Sequence, residues 1–552
     1  MIGRREFLRR SALATTALIV SKYSSLNGQV SSDESRIEVL LDEPLGTISP
    51  NLYGHFSENL GGVIYDGIWV GEGSKVPNIN GIRRDLIEQM RKIKAPVVRY
   101  PGGCFADSYD WRDGIGPADK RPRRTNFWEG VEPPNSPASH KYDPNQFGTN
   151  EFVHFCKLIG AEPYLAANLR SLPAEEFYRW VEYCNSPAGT TTLADARAAA
   201  GYAEPFQVRF WGVGNESWGC GGNFTPQEYA VEFRRFATWA PHFGRELSFV
   251  ASGPNDDNWD WTRGFLEEIV RKGPEQLRAI YGLALHYYAW NLSRGRTQDW
   301  NQGKGDALNF DAVDWYELLQ QGEVIDSLIT GHWQIMGEID RRHHIKLVVD
   351  EWGPWYKPGS EATAGDILEQ MITLRDAVFS GMTLDIFNRH PDQIAMANCA
   401  QLINCLNSLY LAHEDKFCVT PVGHVFEMYA AHQGGQSLRT IFSAPRVHYD
   451  RDSKPASFAG LQGSASLHDK ELVLTAINPS VTESREAGIL IRGASIASGA
   501  ATVLSHRDIH AHNSFSQPDA VAPKGQSVET KGTSARFTFP PASVCKLTFT
   551  LA

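Results

Sequence analysis

The chain has 552 residues, with 53 Lys+Arg against 64 Asp+Glu and a formal net charge of -11. Such a length buries a large core, which excludes a disordered chain, a collagen-like fibre and a small disulfide scaffold. The acidic balance argues against a nucleic-acid partner, which calls for a basic surface, and the 15 Trp, 19 Tyr and 27 Phe leave two uses open, core packing or rings that stack on flat ligands such as sugars.

Residues 1–20 read MIGRREFLRRSALATTALIV: the pair Arg4-Arg5, two further arginines, then an apolar run of about ten residues. The run is too short to span a bilayer, and the pattern is similar to a twin-arginine export signal. A basic amphipathic helix is the other reading. Residues 1–35 are accordingly expected to be a signal and linker of an exported, periplasmic or extracellular protein with no membrane span in its mature form. No clear cleavage site follows. A twin-arginine route carries proteins that have already folded, so the eight cysteines, which form no C-x-x-C pair, read as scattered buried thiols without obligate disulfides. There is no G-x-G-x-x-G after a strand, no Walker loop, no H-E-x-x-H and no zinc spacing, so neither a cofactor nor a metal is expected. A cofactor-dependent redox enzyme is suggested by the export signal alone.

Residues 36–41 form a strand-like run, and the segment 36–47 is expected to pair with a sheet formed further on. From about residue 48 a short apolar run followed by an amphipathic stretch recurs eight times. The runs lie at 51–56, 95–100, 163–168, 207–213, 247–252, 281–286, 345–350 and, more weakly, 394–398. They are continuous instead of alternating, as in strands buried on both faces. Helices are expected over 83–94, 225–240, 261–272 and 368–379. Eight such units over 48–435 point to a parallel (β/α)8 TIM barrel, with a doubly wound sheet as the structural rival. After about residue 435 helical periodicity disappears and short strand-like segments alternate with turns, as in an antiparallel β-sandwich over 436–552. Within it, 513–533 reads as a long exposed loop.

Barrel enzymes carry their chemistry at the C-terminal ends of strands. The runs here are followed by Glu58, by Arg99 and Cys104, by Asn215-Glu216, by His286 and Tyr288, and by Asp350-Glu351-Trp352. Glu216 and Glu351 stand three barrel units apart, which sets them on facing strands. Two glutamates across a cleft suit glycoside hydrolysis, in which one is protonated and the other ionised.

These residues carry a resemblance. Gly214-Asn215-Glu216 after one strand and Asp350-Glu351-Trp352 three units later resemble clan A of the glycoside hydrolases. Within it, the block RYPGGCFADSYDWRDGIGP at 99–117 is similar to family 51, the α-L-arabinofuranosidases, as are YGHFSENLG at 53–61, FGTNEF at 147–152 and ANCAQLIN at 397–404. The resemblance implies a barrel followed by a sandwich, and a retaining enzyme that releases terminal arabinofuranosyl groups from arabinan, arabinoxylan or derived oligosaccharides. It implies Glu216 as acid/base and Glu351 as nucleophile. It further implies Asn215 at the sugar 2-hydroxyl, Glu58 and Arg99 at the arabinofuranose ring, Gln401 as a sugar-binding glutamine and Tyr288 as the residue that positions the nucleophile. Arg99 is also able to hold Glu58 or Glu351 ionised. His286 and Trp352 are expected at the substrate site; Trp128, Trp218, Trp352 and Trp355 read either as aglycone platforms or as packing beneath the site. Cys104 stands where many relatives carry Asn, and a thiol is a weaker partner for a hydroxyl. Relatives are often oligomers, so a homo-oligomer is expected. The rival functions are a clan A endoglucanase or xylosidase, and a non-catalytic carbohydrate-binding barrel.

Overall fold

The computed structural model describes residues 35–126, 128, 142–290, 292, 297, 299–363 and 367–552. The export-like segment 1–34 lies outside them. Among the described residues no helix is long and apolar enough to cross a membrane.

After β1 (Ser35–Thr47) come the eight strands of a closed barrel: β2 (Gly54–Phe56), β3 (Val97–Tyr100), β4 (Glu162–Ala167), β5 (Phe210–Val213), β6 (Ser248–Ala251), β7 (Gly282–Ala289), β8 (Lys346–Pro354) and β9 (Ile394–Ala400). Each pairs in parallel with the next, and β9 closes onto β2. The barrel interior is filled by one inward residue from each of seven strands: Val97, Tyr164, Phe210, Val250, Ala284, Val348 and Met396. That packed layer is the floor on which the polar residues above it stand.

A helix follows each strand: α1 (Arg84–Lys92), α2 (Thr149–Ile159), α3 (Ala174–Asn185), α4 (Pro226–Ala237), α5 (Trp259–Val270), α6 (Ala312–Ile339), α7 (Leu374–Arg389) and α8 (Pro421–Tyr429). Local signals fix their starts. Thr225 caps α4 in a capping box with Glu228, and Pro226 takes the first turn. The sequence reading of a helix over 368–379 is corrected to Leu374–Arg389, because Thr373 and Asp376 form the capping box that starts it there. Residues 374–388 of α7 are all buried, so its pattern lacks the polar face by which a surface helix is recognised. The face turned from the barrel packs on the second sheet, where Asp385 accepts from Ser464 Oγ at 2.7 Å; Tyr429 Oη of α8 also donates to Asp385, at 2.9 Å.

That sheet comprises β1, β10 (Gln436–Ser443), β11 (Gln462–His468), β12 (Glu471–Asn478), β13 (Arg485–Arg492), β14 (Ile496–Ser505), β15 (Lys524–Ser527), β16 (Glu529–Lys531), β17 (Ser534–Phe539) and β18 (Ser543–Leu551). The strand order is 15-14-18-12-11-10-1-13-17-16. It curls on itself around a core that includes Ile37, Leu474, Ile489, Phe537 and Leu547, and the architecture is a TIM barrel followed by a β-sandwich. β1 pairs antiparallel with β10 and parallel with β13, so the domain is not wholly antiparallel. The loop expected over 513–533 is corrected too: β15 and β16 are edge strands within it, exposed along their length, and Val521 is fully buried. Edge strands rich in Lys, Glu and Gly lack the apolar alternation that reveals a strand in sequence.

Candidate active site

The polar residues gather at the C-terminal mouth of the barrel. Glu351 lies in β8 at a bulge, where three residues of β8 oppose two on each neighbouring strand. Val348 points into the barrel and Val349 outward; the extra residue lets both Asp350 and Glu351 turn inward. Arg99, on β3, meets them there. Its Nη1 donates to Glu351 Oε1 at 2.9 Å and its Nε lies 3.4 Å from Asp350 Oδ2. Its Nη2 donates to Asn215 Oδ1. Asp350 is held further by Tyr164 Oη at 2.8 Å and Asn398 Nδ2 at 2.7 Å.

Tyr288 donates to Glu351 Oε2 at 2.8 Å. His286 Nδ1 stands between the two glutamates, 3.0 Å from Glu216 Oε1 and 3.6 Å from Glu351 Oε2. One carboxyl oxygen of each glutamate and a ring nitrogen of His286 all lie within 4.8 Å of one another. The Glu216 side chain is 19% exposed and that of Glu351 7%. On the facing side, Glu58 Oε1 accepts the Phe105 N–H at 2.9 Å, and Gln401 accepts the Glu58 N–H at 2.8 Å.

These environments set the protonation states apart. Burial favours the neutral acid at Glu351, but the charges of His286 and Arg99, with hydrogen bonds from Arg99 and Tyr288, win and hold its pKa below the usual carboxylate value. Burial likewise opposes charge on His286, yet Glu351 and Glu216 beside it raise its pKa. Glu58 goes the other way. Burial and then repulsion from Glu351 push it up to about 8, against the lowering pull of the Phe105 N–H and Arg99. Arg99 is raised although burial opposes it, because Asp350 and Glu351 face it.

Glu58, Cys104, Asn215, Glu216, His286, Tyr288, Glu351 and Gln401 thus meet in one site. Arg99, expected at the sugar ring and as a group that holds Glu58 or Glu351 ionised, is 1% exposed, and its Nη1 and Nη2 donate to Glu351 Oε1 and Asn215 Oδ1. Trp352 is a correction in place. Next to the inward Glu351 it points outward, 1% exposed, stacked on Phe426 of α8 and edge-on to Phe387 of α7. Trp128, Trp218 and Trp355 are half-buried, and Trp355 packs edge-on against Tyr288 with ring centroids 5.1 Å apart. The expectation of thiols alone is also overturned, since Cys104 is disulfide-bonded to Cys220; the other six cysteines are free and buried. Sequence reasoning missed Cys220, which lies 116 residues from its partner, and Asp107, a buried acid at the start of a loop. The Asp107 carboxylate accepts the N–H groups of Leu169 at 2.8 Å and Asn215 at 3.1 Å.

Two family models match: the α-L-arabinofuranosidase 1 domain over residues 89–304 and the α-L-arabinofuranosidase C-terminal domain over 350–543. An intracellular exo-α-L-arabinofuranosidase of Bacteroides ovatus is 33% identical over 94% of this chain and 95% of its own length. An intracellular exo-α-(1->5)-L-arabinofuranosidase 1 of Bacillus subtilis (strain 168) is 27% identical over 92% of this chain and 97% of its own. Among solved structures, the GH51 arabinofuranosidase from Xanthomonas axonopodis pv. citri superposes with a TM-score of 0.85, at 34% identity over 94% of this chain and 100% of that one. The two relatives named as intracellular overturn the reading of an exported protein. A block of arginines before a short apolar run belongs equally to a basic amphipathic segment, and the arginine pair in the sequence did not discriminate between them. By its length of match, its fold and the residues at its barrel mouth, the chain belongs to glycoside hydrolase family 51, the α-L-arabinofuranosidases.

Proposed function

We propose that Glu351 is the nucleophile and Glu216 the general acid/base of a retaining, exo-acting hydrolysis that releases terminal α-L-arabinofuranosyl groups. The enzyme is a glycoside hydrolase, and its substrates are arabinan, arabinoxylan or oligosaccharides derived from them. The observation that carries this reading is the approach of the two carboxyls, an oxygen of each within 4.8 Å of the other. Retaining enzymes hold their carboxyl groups about 5–5.5 Å apart, whereas inverting ones leave about 6.5–9.5 Å for a water.

Glu351, kept ionised by Arg99 and Tyr288, attacks the anomeric carbon. The glycosidic C–O bond breaks as Glu216, the more exposed of the two, gives its proton to the leaving oxygen. Glu216 then takes a proton from a water that attacks the covalent arabinosyl ester, and Glu351 leaves. Asn215, anchored through its carbonyl by Arg99, directs its amide nitrogen to the 2-hydroxyl. Glu58 and Gln401 face the remaining ring hydroxyls, and Trp355 borders the leaving-group side.

The test is hydrolysis of an aryl α-L-arabinofuranoside followed by NMR. The first product should have the α configuration. Glu351→Ala should abolish turnover; Glu216→Ala should be rescued by azide on an activated substrate, because azide needs no general base. An inverted product, or full activity in either variant, overturns the assignment.

A further inference from the structure

The loop carrying Glu216 is closed by a covalent bond that the hydrolytic mechanism does not use. Cys104 opens the short turn Cys104–Ser108 that follows β3, and Cys220 lies in the loop after β5. Both are half-buried. Their sulfurs lie 3.7 and 3.6 Å from Glu216 Oε2, and 4.0 and 3.8 Å from Asn215 Nδ2. The disulfide is therefore part of the wall against which the carboxyl and the amide both rest.

The loop needs such support. Glu216 has φ +39°, a conformation that a residue with a side chain adopts only when its surroundings impose it. Its carbonyl accepts from the Gly219 and Gly221 N–H groups at 2.7 and 3.2 Å, so the chain doubles back at once. A Cβ on Gly221 would fall 1.8 Å from the Asn215 carbonyl oxygen, which shows how closely the loop is folded. The turn after β3 pins this loop twice: Asp107 accepts the Asn215 N–H, and Cys104 holds Cys220. Of the two ties, the covalent one opens without any change of sequence.

We propose that the Cys104–Cys220 disulfide is a redox-sensitive positioning element for the general acid/base, so that proton donation by this enzyme depends on the thiol–disulfide state of the pair. The proposal rests on reading Glu216 as the acid/base. A dithiol opens the bond by thiol–disulfide exchange: its two thiols become a disulfide, and two electrons and two protons pass to Cys104 and Cys220, which become thiols. Oxidised glutathione reverses this, leaving two molecules of glutathione. Opening has two effects. The loop loses its covalent tie. A thiol, unlike a disulfide sulfur, also has a proton to donate to the adjacent carboxylate oxygen, which favours ionised over protonated Glu216. The other titratable groups about Glu216 are His286 and Tyr288 from β7, Glu351 from β8 and Glu58 after β2, and none of them is chemically altered by the reductant.

The experiment compares oxidised wild type, wild type treated with dithiothreitol, and C104A/C220A on two aryl α-L-arabinofuranosides. One carries a dinitrophenyl leaving group that departs without protonation; the other carries phenyl, which needs it. Titration of accessible thiols in the native protein should give none before reduction and two after, since the other six cysteines are buried. Reduction should lower kcat/KM on the phenyl substrate about 10-fold, change the dinitrophenyl substrate less than about 2-fold, and move the alkaline limb of the phenyl pH profile to lower pH. Oxidised glutathione should restore the starting values. C104A/C220A should show the phenyl loss without the pH shift, and no response to dithiothreitol. Equal losses on both substrates would reduce the bond to a structural staple, and no loss on either, or thiols that never pair, would equally overturn the proposal. Glu216→Ala run in parallel separates the two readings. If that variant spares the phenyl substrate, the acid/base assignment has failed; if it loses phenyl activity while reduction has no effect, only the redox proposal has.

Discussion

Arg99 Nη1 donates to Glu351 Oε1 at 2.9 Å from a side chain that is 1% exposed. The same guanidinium faces Asp350 and donates to Asn215, so one planar fork joins the strand of the proposed nucleophile to the loop of the proposed acid/base. Removing it would strand two buried carboxylates, and breaking a buried pair costs about 3–5 kcal/mol. Arg99→Met is expected to lower stability by about that amount in chemical unfolding and to abolish activity. Arg99→Lys should recover little, because an ammonium cannot bridge three acceptors set out for a fork.

The Tyr288 hydroxyl, 2.8 Å from Glu351 Oε2, is one of the groups that hold this carboxyl's pKa down. A hydrogen bond to the charged form lowers a carboxylate pKa, so its loss raises it. As the proposed nucleophile, Glu351 must be ionised to attack. Tyr288→Phe should therefore shift the acid limb of the kcat/KM profile to higher pH and cut kcat by about 10–100-fold, with thermal unfolding little changed. An unmoved acid limb would count against the assigned role.

Glu58 gives a stability prediction with a definite sign. Its pKa rises from the ordinary glutamate value of 4.5 to about 8 in the folded protein, through burial first and the Glu351 charge second. Between these values the folded state keeps a proton that the unfolded chain has released. The unfolded state binds fewer protons, so this group makes stability fall as pH rises from about 4.5 to about 8. Glu58→Gln, neutral throughout, should flatten that dependence and gain on the order of a few kcal/mol at pH 8 relative to pH 4.5. Denaturant unfolding of both proteins across this window measures it. The same variant should weaken sugar binding.

Two tryptophans three residues apart should behave oppositely. Trp352 is buried between the barrel and α7 and α8, so Trp352→Ala should destabilise by about 3–5 kcal/mol. Trp355 is half-buried beside Tyr288. Trp355→Ala should raise KM for oligosaccharides several-fold while the melting temperature moves little. The reverse pattern would show that Trp355 is the core ring and Trp352 the one at the cleft.

The eight apolar runs, their spacing and the acids that close them are local properties. Each strand's burial on both faces is written in its own residues, and the chain alone therefore determined the barrel, the change of texture near residue 435 and the pair Glu216 and Glu351. What tertiary structure decided is direction and partnership. The bulge in β8 turns Asp350 and Glu351 to the same side and sends Trp352 to the other, and no period-2 pattern carries that information. A helix such as α7, covered by the barrel on one face and a sheet on the other, loses the polar stripe that would mark its ends. Arg99 was placed at the sugar ring by the resemblance and beside Glu351 by its chemistry, but only the closed barrel shows one guanidinium buried against Glu351, Asp350 and Asn215 together. The Cys104–Cys220 bond joins residues 116 apart, and pairing at that distance follows from where two loops meet above the barrel, which sequence spacing does not encode.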